Sequence, residues 1–398
     1  MISVDEAVVR VTAAFAPTQG ETIPIERTAG RVLAEDARAR MTQPPAPVSS
    51  MDGYAVRAAD VVNALVTLEV VGSSPAGHPF GKAISAGETV RIFTGGVVPD
   101  GADSIVIQED AVAQGDKVTL NVAAKPGKHI RVAGLDFRTG DVLVRSGKRL
   151  NARDVSLIAA GDLAEVRVRR KPRIALAATG DELTRPGEPR GPGGIVASSG
   201  YALSALIEKW GGETLDLGIL PDTMEAIGAI AERAAGADLI VTMGGASVGD
   251  HDLIQKALGP KGFALDFWKI AMRPGKPLIF GKLGAVPLLG LPGNPVSTLV
   301  CAILFLRPAI AAMLGTDTAT PTLSARLSRA LPANDTRQDY IRAKLELRDG
   351  EYWVEAFPVQ DSSMMSSLAE AGALIIRAPH AQALDAGARV DIISLDDV

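Results

Sequence analysis

Residues 238–252 read DLIVTMGGASVGDHD, and the architecture expected for the chain is worked outward from them. Leu239-Ile240-Val241 is a short apolar run with β-branched residues, as in a strand buried on both faces. It ends at Gly244-Gly245, with Ser247 and Gly249 close behind. Glycines there let backbone N–H groups approach an anion without a Cβ in the way. A helical pattern follows over 252–258. Strand, glycine loop and helix N-terminus together make a ready anion site. Asp250 and Asp252 add carboxylates where a phosphate would sit, which points to a bridging Mg²⁺ with oxygen ligands. Taken alone, the stretch also reads as a tight βα turn with Asp252 as helix N-cap.

From Arg173 the flanking sequence alternates strands and helices. Strands are expected over 173–178, 214–220, 263–272, 278–280 and 287–291. Helices are expected over 201–210 and 223–235, the second with Asp222 as N-cap. A long apolar helix should start at Asn294-Pro295 and run to about Leu314, with Asn294 as N-cap and Pro295 at the first helical position. This is the pattern of a doubly wound α/β sheet. In such sheets ligands bind beyond the carboxyl ends of the strands. The polar, glycine-bearing stretches fall just after those strands, at 179–182, 244–252, 273–276 and 292–297.

The flanks read differently. Residues 3–15 have helical spacing, with Ser3 and Glu6 placed for a capping box. Pro44-Pro45-Ala46-Pro47 breaks the pattern before VSSMDGYAV at 48–56, where Asp52-Gly53 signals a turn. Residues 65–125 are short β runs divided by glycine and proline, a small β domain. A helix over 151–160 follows that insert and is expected to return onto the first helix. Residues 316–398 again give short strands, at 342–347, 352–356, 373–377 and 389–393. The domains expected are a discontinuous linking and dimerisation domain (1–40 with 135–170), a β-rich domain (41–134), an α/β domain (171–316) and a C-terminal β domain (317–398).

Composition is that of a soluble globular protein, with 398 residues, 47% hydrophobic and 22% charged. The length calls for two to four domains. A net charge of −5 argues against nucleic acid as the main partner. The single cysteine, Cys301, lies in an apolar run and suits buried packing in a reducing compartment. The four histidines, at 78, 129, 251 and 380, lack zinc spacing. The start, MISVDEAVVRV, has no basic n-region or apolar h-region, so a cytoplasmic protein is expected. The most apolar run, 296–306, is closed by Arg307-Pro308 and reads as too short to span a bilayer. No Walker lysine loop, GxGxxG or local Ser-His-Asp set is present. The loops do hold cations (Lys269, Arg273, Lys276) and carboxylates (Asp181, Glu182, Asp250, Asp252) suited to chemistry at a phosphate anhydride.

Together the loops resemble the molybdopterin molybdotransferase family, the MoeA-type proteins and the E domain of gephyrin. The matching residues are Ser50-Met51-Asp52-Gly53-Tyr54-Ala55, Thr94-Gly95 with Pro99-x-Gly101-Ala102-Asp103, and Thr179-Gly180-Asp181-Glu182-Leu183. Further along are Gly244-Gly245-x-Ser247-Val248-Gly249-x-x-Asp252, Pro274-Gly275-Lys276-Pro277 and Gly290-Leu291-Pro292-Gly293-Asn294-Pro295-Val296-Ser297. Six motifs in order make the resemblance specific. It implies a molybdopterin-binding α/β domain within a homodimer whose cleft is shared between subunits. The implied reaction takes adenylylated molybdopterin and molybdate, releases AMP and is assisted by Mg²⁺. The adenylyltransferase and the molybdoenzymes are the implied protein partners.

Carried over by position, Asp52, Glu182, Asp252 and Lys276 would be catalytic, and Glu182 and Asp252 would hold Mg²⁺. Substrate would be met by Thr94, Asp136, Asp222, Gly244, Gly245, Ser247, Gly249, Lys269, Arg273, Pro292, Asn294, Pro295 and Ser297. The chain departs from the family pattern at Ser199, where asparagine is usual, at Asp361-Ser362 for Gly-Ser, and at Gly372, near which relatives often carry asparagine. The departures leave open the C-terminal side of the cleft, including Arg342, Ser362 and Ser366. The competing activities are molybdopterin adenylylation and non-catalytic scaffolding.

Overall fold

The computed structural model describes residues 1–244 and 251–396, without the side chains of His251 and Asp252. Gly245, Ser247, Gly249 and Asp250 lie outside the described residues, as does the side chain of Asp252. The contacts divide the chain into two compact units. One is Thr22–Ala29 with Leu33–Val168; the other is Met1–Glu21, Gly30–Val32 and Arg169–Val398.

The first unit contains the expected β insert. Its sheet runs in the order Ser104–Ile107, Gly53–Val56, Glu88–Ile92, Val66–Ser74, Lys117–Leu120, Ala111–Gln114. Side chains alternate across it, as the two-residue strand period requires. Tyr54 and Val56 join Leu68, Val106 and Val118 on one face, while Ala55 packs with Ile92 and Ile105 on the other. A separate core gathers Leu33, Ala37, Val144, Leu150, Ile158 and Val168. The helix Ala152–Ala160 belongs to that core. It opens with a reciprocal cap, in which Asn151 accepts from the Asp154 N–H and Asp154 from the Asn151 N–H.

The first helix is grouped with the other unit. The first helix, Val4–Thr12, buries Val4, Ala7 and Val11 in the main core of the other unit, where a larger apolar surface takes its face. Ser3 caps it by accepting from the Glu6 N–H. Glu6 completes no box; its carboxylate meets Arg10 at 2.6 Å instead.

The second unit carries the α/β sheet, ordered Glu213–Leu220, Arg173–Thr179, Leu239–Met243, Val286–Leu291, Ile279–Leu283, Phe263–Trp268. The first four of these are parallel to one another. The last two turn antiparallel, so the doubly wound sheet has an antiparallel edge. Helices cover both faces. Ile174, Leu176 and Ala178 point to the core shared with the long C-terminal helix, and Ala175 and Ala177 to the opposite core.

Three sequence expectations are corrected here. The 263–272 strand stops at Trp268; Met272–Arg273 instead pairs in parallel with Gln338 and Asp339 of the C-terminal sheet. The helix expected over 223–235 is broken into Met224–Gly228 and Ile230–Arg233, and its cap is Thr223, not Asp222. The 5-residue β strand Leu323–Leu327 is additional to the expected strands and fills the sheet with Gln338–Arg348, Glu351–Ala356, Ala373–Arg377 and Arg389–Ser394.

The apolar helix spans Pro295–Leu314, the length expected from its sequence. It runs through Arg307-Pro308 because Ala302–Leu306 widens into a π-helical turn, which accommodates a proline that cannot donate back into the ladder. Its length and apolarity would suit a bilayer, but 83% of its apolar window is buried inside the fold, so it reads as a core helix. Cys301 sits on it, fully buried, and burial pushes the thiol well above its ordinary pKa.

Candidate functional site at the carboxyl edge of the parallel strands

The register of the four parallel strands brings their carboxyl ends level. Thr179 pairs with Leu220, Ala178 with Met243, and Met243 with Leu291. The residues that follow each strand therefore share one edge. They are Gly180-Asp181-Glu182, Pro221-Asp222, Gly244 and Pro292-Gly293-Asn294.

Backbone bonds tie this edge together. The Gly180 N–H donates to Leu220 O at 3.2 Å, and the Gly244 N–H to Leu291 O at 3.2 Å. The Asp222 N–H donates to Asp181 Oδ1 at 3.1 Å. Gly244 has φ +90°, and a Cβ on it would lie 2.5 Å from Thr179 O. Only glycine fits that approach. The exposed Glu182 folds back over the same turn: a Cβ on Gly180 would meet its carboxylate oxygens at 2.6 and 2.8 Å. Asp181, Glu182 and Asp222 thus line the outer strands of the edge.

The cations come from the loop after Phe263–Trp268. The Ile270 N–H donates to Lys276 O at 3.0 Å, so the loop closes and brings its two ends together. Gly275 packs on the long helix, where a Cβ would lie 2.4 Å from Cys301 Sγ. The Lys269 ammonium lies 3.6 Å from the centre of the Trp268 ring. Lys276 is exposed and has no charged partner among the described residues. Arg273 differs from both, because its guanidinium pairs with Asp339 and, at 3.3 Å, with Asp335. The hydrogen bond to Asp339 raises its pKa further. The charge expected to meet phosphate is thus already engaged by carboxylates.

A cavity of about 290 Å³ opens beside Arg273, lined also by Asp339, Arg342, Gln360 and Arg377. Arg342 is only 1% exposed. It donates to Met364 O at 3.0 Å, to Ser367 Oγ at 2.7 Å and to Asp361 O at 2.8 Å. Burial lowers its pKa. This guanidinium fixes the 361–367 loop, and the loop in turn reaches the long helix. Asn294 occupies the N-cap position but makes no side-chain cap. Its Nδ2 donates instead to Ser362 Oγ at 2.8 Å, and the Val296 N–H donates to Ser362 O at 3.2 Å. Pro292 and Ser297 are buried beneath this contact, with Pro295 half-buried between them. Sequence reasoning left Arg342 and Ser362 without a role; no spacing links them to Asn294.

Asp52 and Thr94 meet within the β-rich unit. Asp52 Oδ1 accepts from the Thr94 N–H at 2.7 Å and from Thr94 Oγ1 at 2.8 Å. These donors hold the carboxyl below its ordinary pKa, with Arg91 adding a smaller electrostatic pull. Asp136 is exposed on a turn of the same unit, its N–H bonded to Gln43 O at 3.0 Å.

Three family profiles match the chain in order. They are the MoeA N-terminal region (domain I and II) over residues 2–161, a probable molybdopterin binding domain over 175–312 and the MoeA C-terminal region (domain IV) over 324–395. A molybdopterin molybdenumtransferase of Haemophilus influenzae is 35% identical over 381 residues, covering 94% of each chain. The chain belongs to the MoeA family. The Nostoc molybdopterin molybdenumtransferase is also 35% identical, over 89% of this chain and 84% of its own. A crystal structure of a molybdopterin biosynthesis MoeA protein from Pyrococcus horikoshii superposes with a TM-score of 0.87 at 30% identity, covering 99% of each chain. The multidomain α/β and β architecture is thus that of MoeA proteins, and the family is one of transferases.

Proposed function

We propose that the chain inserts molybdenum into molybdopterin, taking adenylylated molybdopterin and molybdate and releasing AMP. The observation that carries this reading is the level ending of the four parallel strands. It collects Asp181, Glu182, Asp222, Gly244 and the N-terminus of the Pro295–Leu314 helix at one edge, an arrangement suited to a phosphorylated ligand.

In this reading, Gly244, Gly245 and Ser247 would meet the pterin phosphate. Lys276, which has no acidic partner among the described residues, meets the negative charge that develops on the leaving phosphate. Lys269 and the cavity beside Arg273 supply a further positive wall for an oxyanion. Asp222 and Asn294 shape the rim. Asp52, Thr94 and Asp136 act from the β-rich unit, in a homodimer whose cleft takes that unit from the other subunit.

Mg²⁺ belongs to the same proposal. Among the described residues no group of three or more His, Cys, Asp or Glu converges on a point. That suits Mg²⁺, which is commonly held by one or two carboxylates, water and substrate phosphate. Glu182 and Asp252 would hold it, and it would neutralise charge on the anhydride. We also propose a cytoplasmic location, with the adenylyltransferase supplying substrate.

The test is incubation with adenylylated molybdopterin, Mg²⁺ and molybdate, following AMP and cofactor formation. Molybdate-dependent AMP release is expected. No AMP under any condition overturns the assignment; ATP consumption with pyrophosphate release would mark an adenylyltransferase, and tight binding without turnover a scaffold.

A further inference from the structure

One arginine outside the proposed site is built into the turn that carries Asp52. Arg91, on the strand Glu88–Ile92, lies directly across from Tyr54 in the register of the sheet. Its guanidinium lies 5.0 Å from the centre of the Tyr54 ring and 4.9 Å from that of Phe93. Arg91 Nη1 donates to Gly53 O at 3.1 Å, and Nη2 donates to Gln108 Oε1 at 2.5 Å. Gln108 closes the circuit, because its N–H donates to Asp52 O at 3.0 Å. A Cβ on Gly53 would lie 2.1 Å from Val106 O, so the turn is pressed against the next strand with no slack.

The Asp52 carboxylate is thus oriented from two directions. Thr94 holds its oxygen, and Arg91 holds the peptide behind it through Gly53 and Gln108. We propose that Arg91 is a positioning residue, which fixes the Asp52-Gly53 turn so that the Asp52 carboxylate is presented in one orientation. A planar guanidinium suits this role, since it donates in two fixed directions while its faces rest near aromatic rings. An ammonium in its place keeps the charge but loses the fork. The inference rests on the proposed role of Asp52.

The experiment is a cycle of Asp52→Asn, Arg91→Gln and the double variant in the full-length protein, with Arg91→Lys alongside. Molybdate-dependent AMP release gives kcat and KM. Affinity for adenylylated molybdopterin, by calorimetry, gives the same cycle where turnover is too slow to follow. Arg91→Gln is expected to lower kcat about tenfold or more, as loss of orientation does, with a smaller change in KM. Arg91→Lys should recover only part of it. In the Asp52→Asn background the Arg91 change should add less than about twofold. Undiminished activity in Arg91→Gln, or an equal loss with and without Asp52, overturns the inference. Full activity in Asp52→Asn would remove Asp52 itself from the reaction, a failure of the earlier reading that this cycle separates from the first.

Discussion

Asn294 Nδ2 donates to Ser362 Oγ at 2.8 Å across 68 residues of sequence. This joins the start of the long core helix to a loop of the C-terminal sheet. Replacing either partner with alanine should cost no more than about 1 kcal/mol of stability, because the bond is partly solvated. The proposed binding edge would nonetheless loosen. Asn294→Ala, Ser362→Ala and the double variant should each raise KM about fivefold, without summing. Steady-state AMP release on the three proteins checks this, and additive losses would mean that the two side chains act separately.

The lowered pKa of Asp52 comes first from the Thr94 backbone and side-chain bonds. Its folded-state value lies below that of an ordinary aspartate, so any stability it contributes is present above the unfolded pKa and is lost as pH falls through the folded one. Thr94→Val removes the hydroxyl donor and keeps the N–H. The Asp52 titration, followed by carbon NMR of the labelled carboxyl, should move partway up toward the ordinary range. An unchanged titration would assign the shift to the backbone donor alone.

Arg273 and Lys276 lie in one loop but should answer differently. Arg273→Ala leaves the buried Asp339 carboxylate without its cation and should cost about 3 kcal/mol in urea unfolding. Lys276→Ala removes an exposed charge and should leave stability within about 0.5 kcal/mol. Its activity should fall at least tenfold if it stabilises charge on the leaving phosphate. Comparable stability losses in the two variants would contradict the assignment of separate roles.

Gly244 is a third point of attack. Gly244→Ala meets both a φ of +90° and Thr179 O at 2.5 Å, and should cost about 1–3 kcal/mol. A melting temperature equal to that of the parent protein would mean that the strand end relaxes freely.

The α/β domain was legible because its strands are buried on both faces and its punctuation is local. Glycine and proline mark each strand end, and Asn294-Pro295 marks the long helix. The β insert was legible for the same reason, as short β runs divided by glycine and proline. Sequence misleads where tertiary partners decide. The first helix has an amphipathic pattern that names a buried face but not the surface that buries it. Arg273 looks like a free cation in sequence because Asp335 and Asp339 are over sixty residues away. Arg342 reads as an ordinary strand arginine, although its chemistry lies in three loop bonds made by carbonyls and a hydroxyl.

The Met272–Arg273 strand belongs by sequence to the α/β segment and by hydrogen bonding to the C-terminal sheet. The two sheets are therefore not separable cargo. A chain truncated after Leu314 would leave this strand without a neighbour, and would strip Tyr340, Leu374 and Ile393 from the core they share with the long helix. Grafting the C-terminal sheet onto another protein would in turn leave Gln338 and Asp339 unpaired on the side that Met272–Arg273 fills. Gene fusions and splice boundaries in proteins of this architecture should accordingly avoid the stretch between residues 273 and 338, and fall where no such stitch is cut.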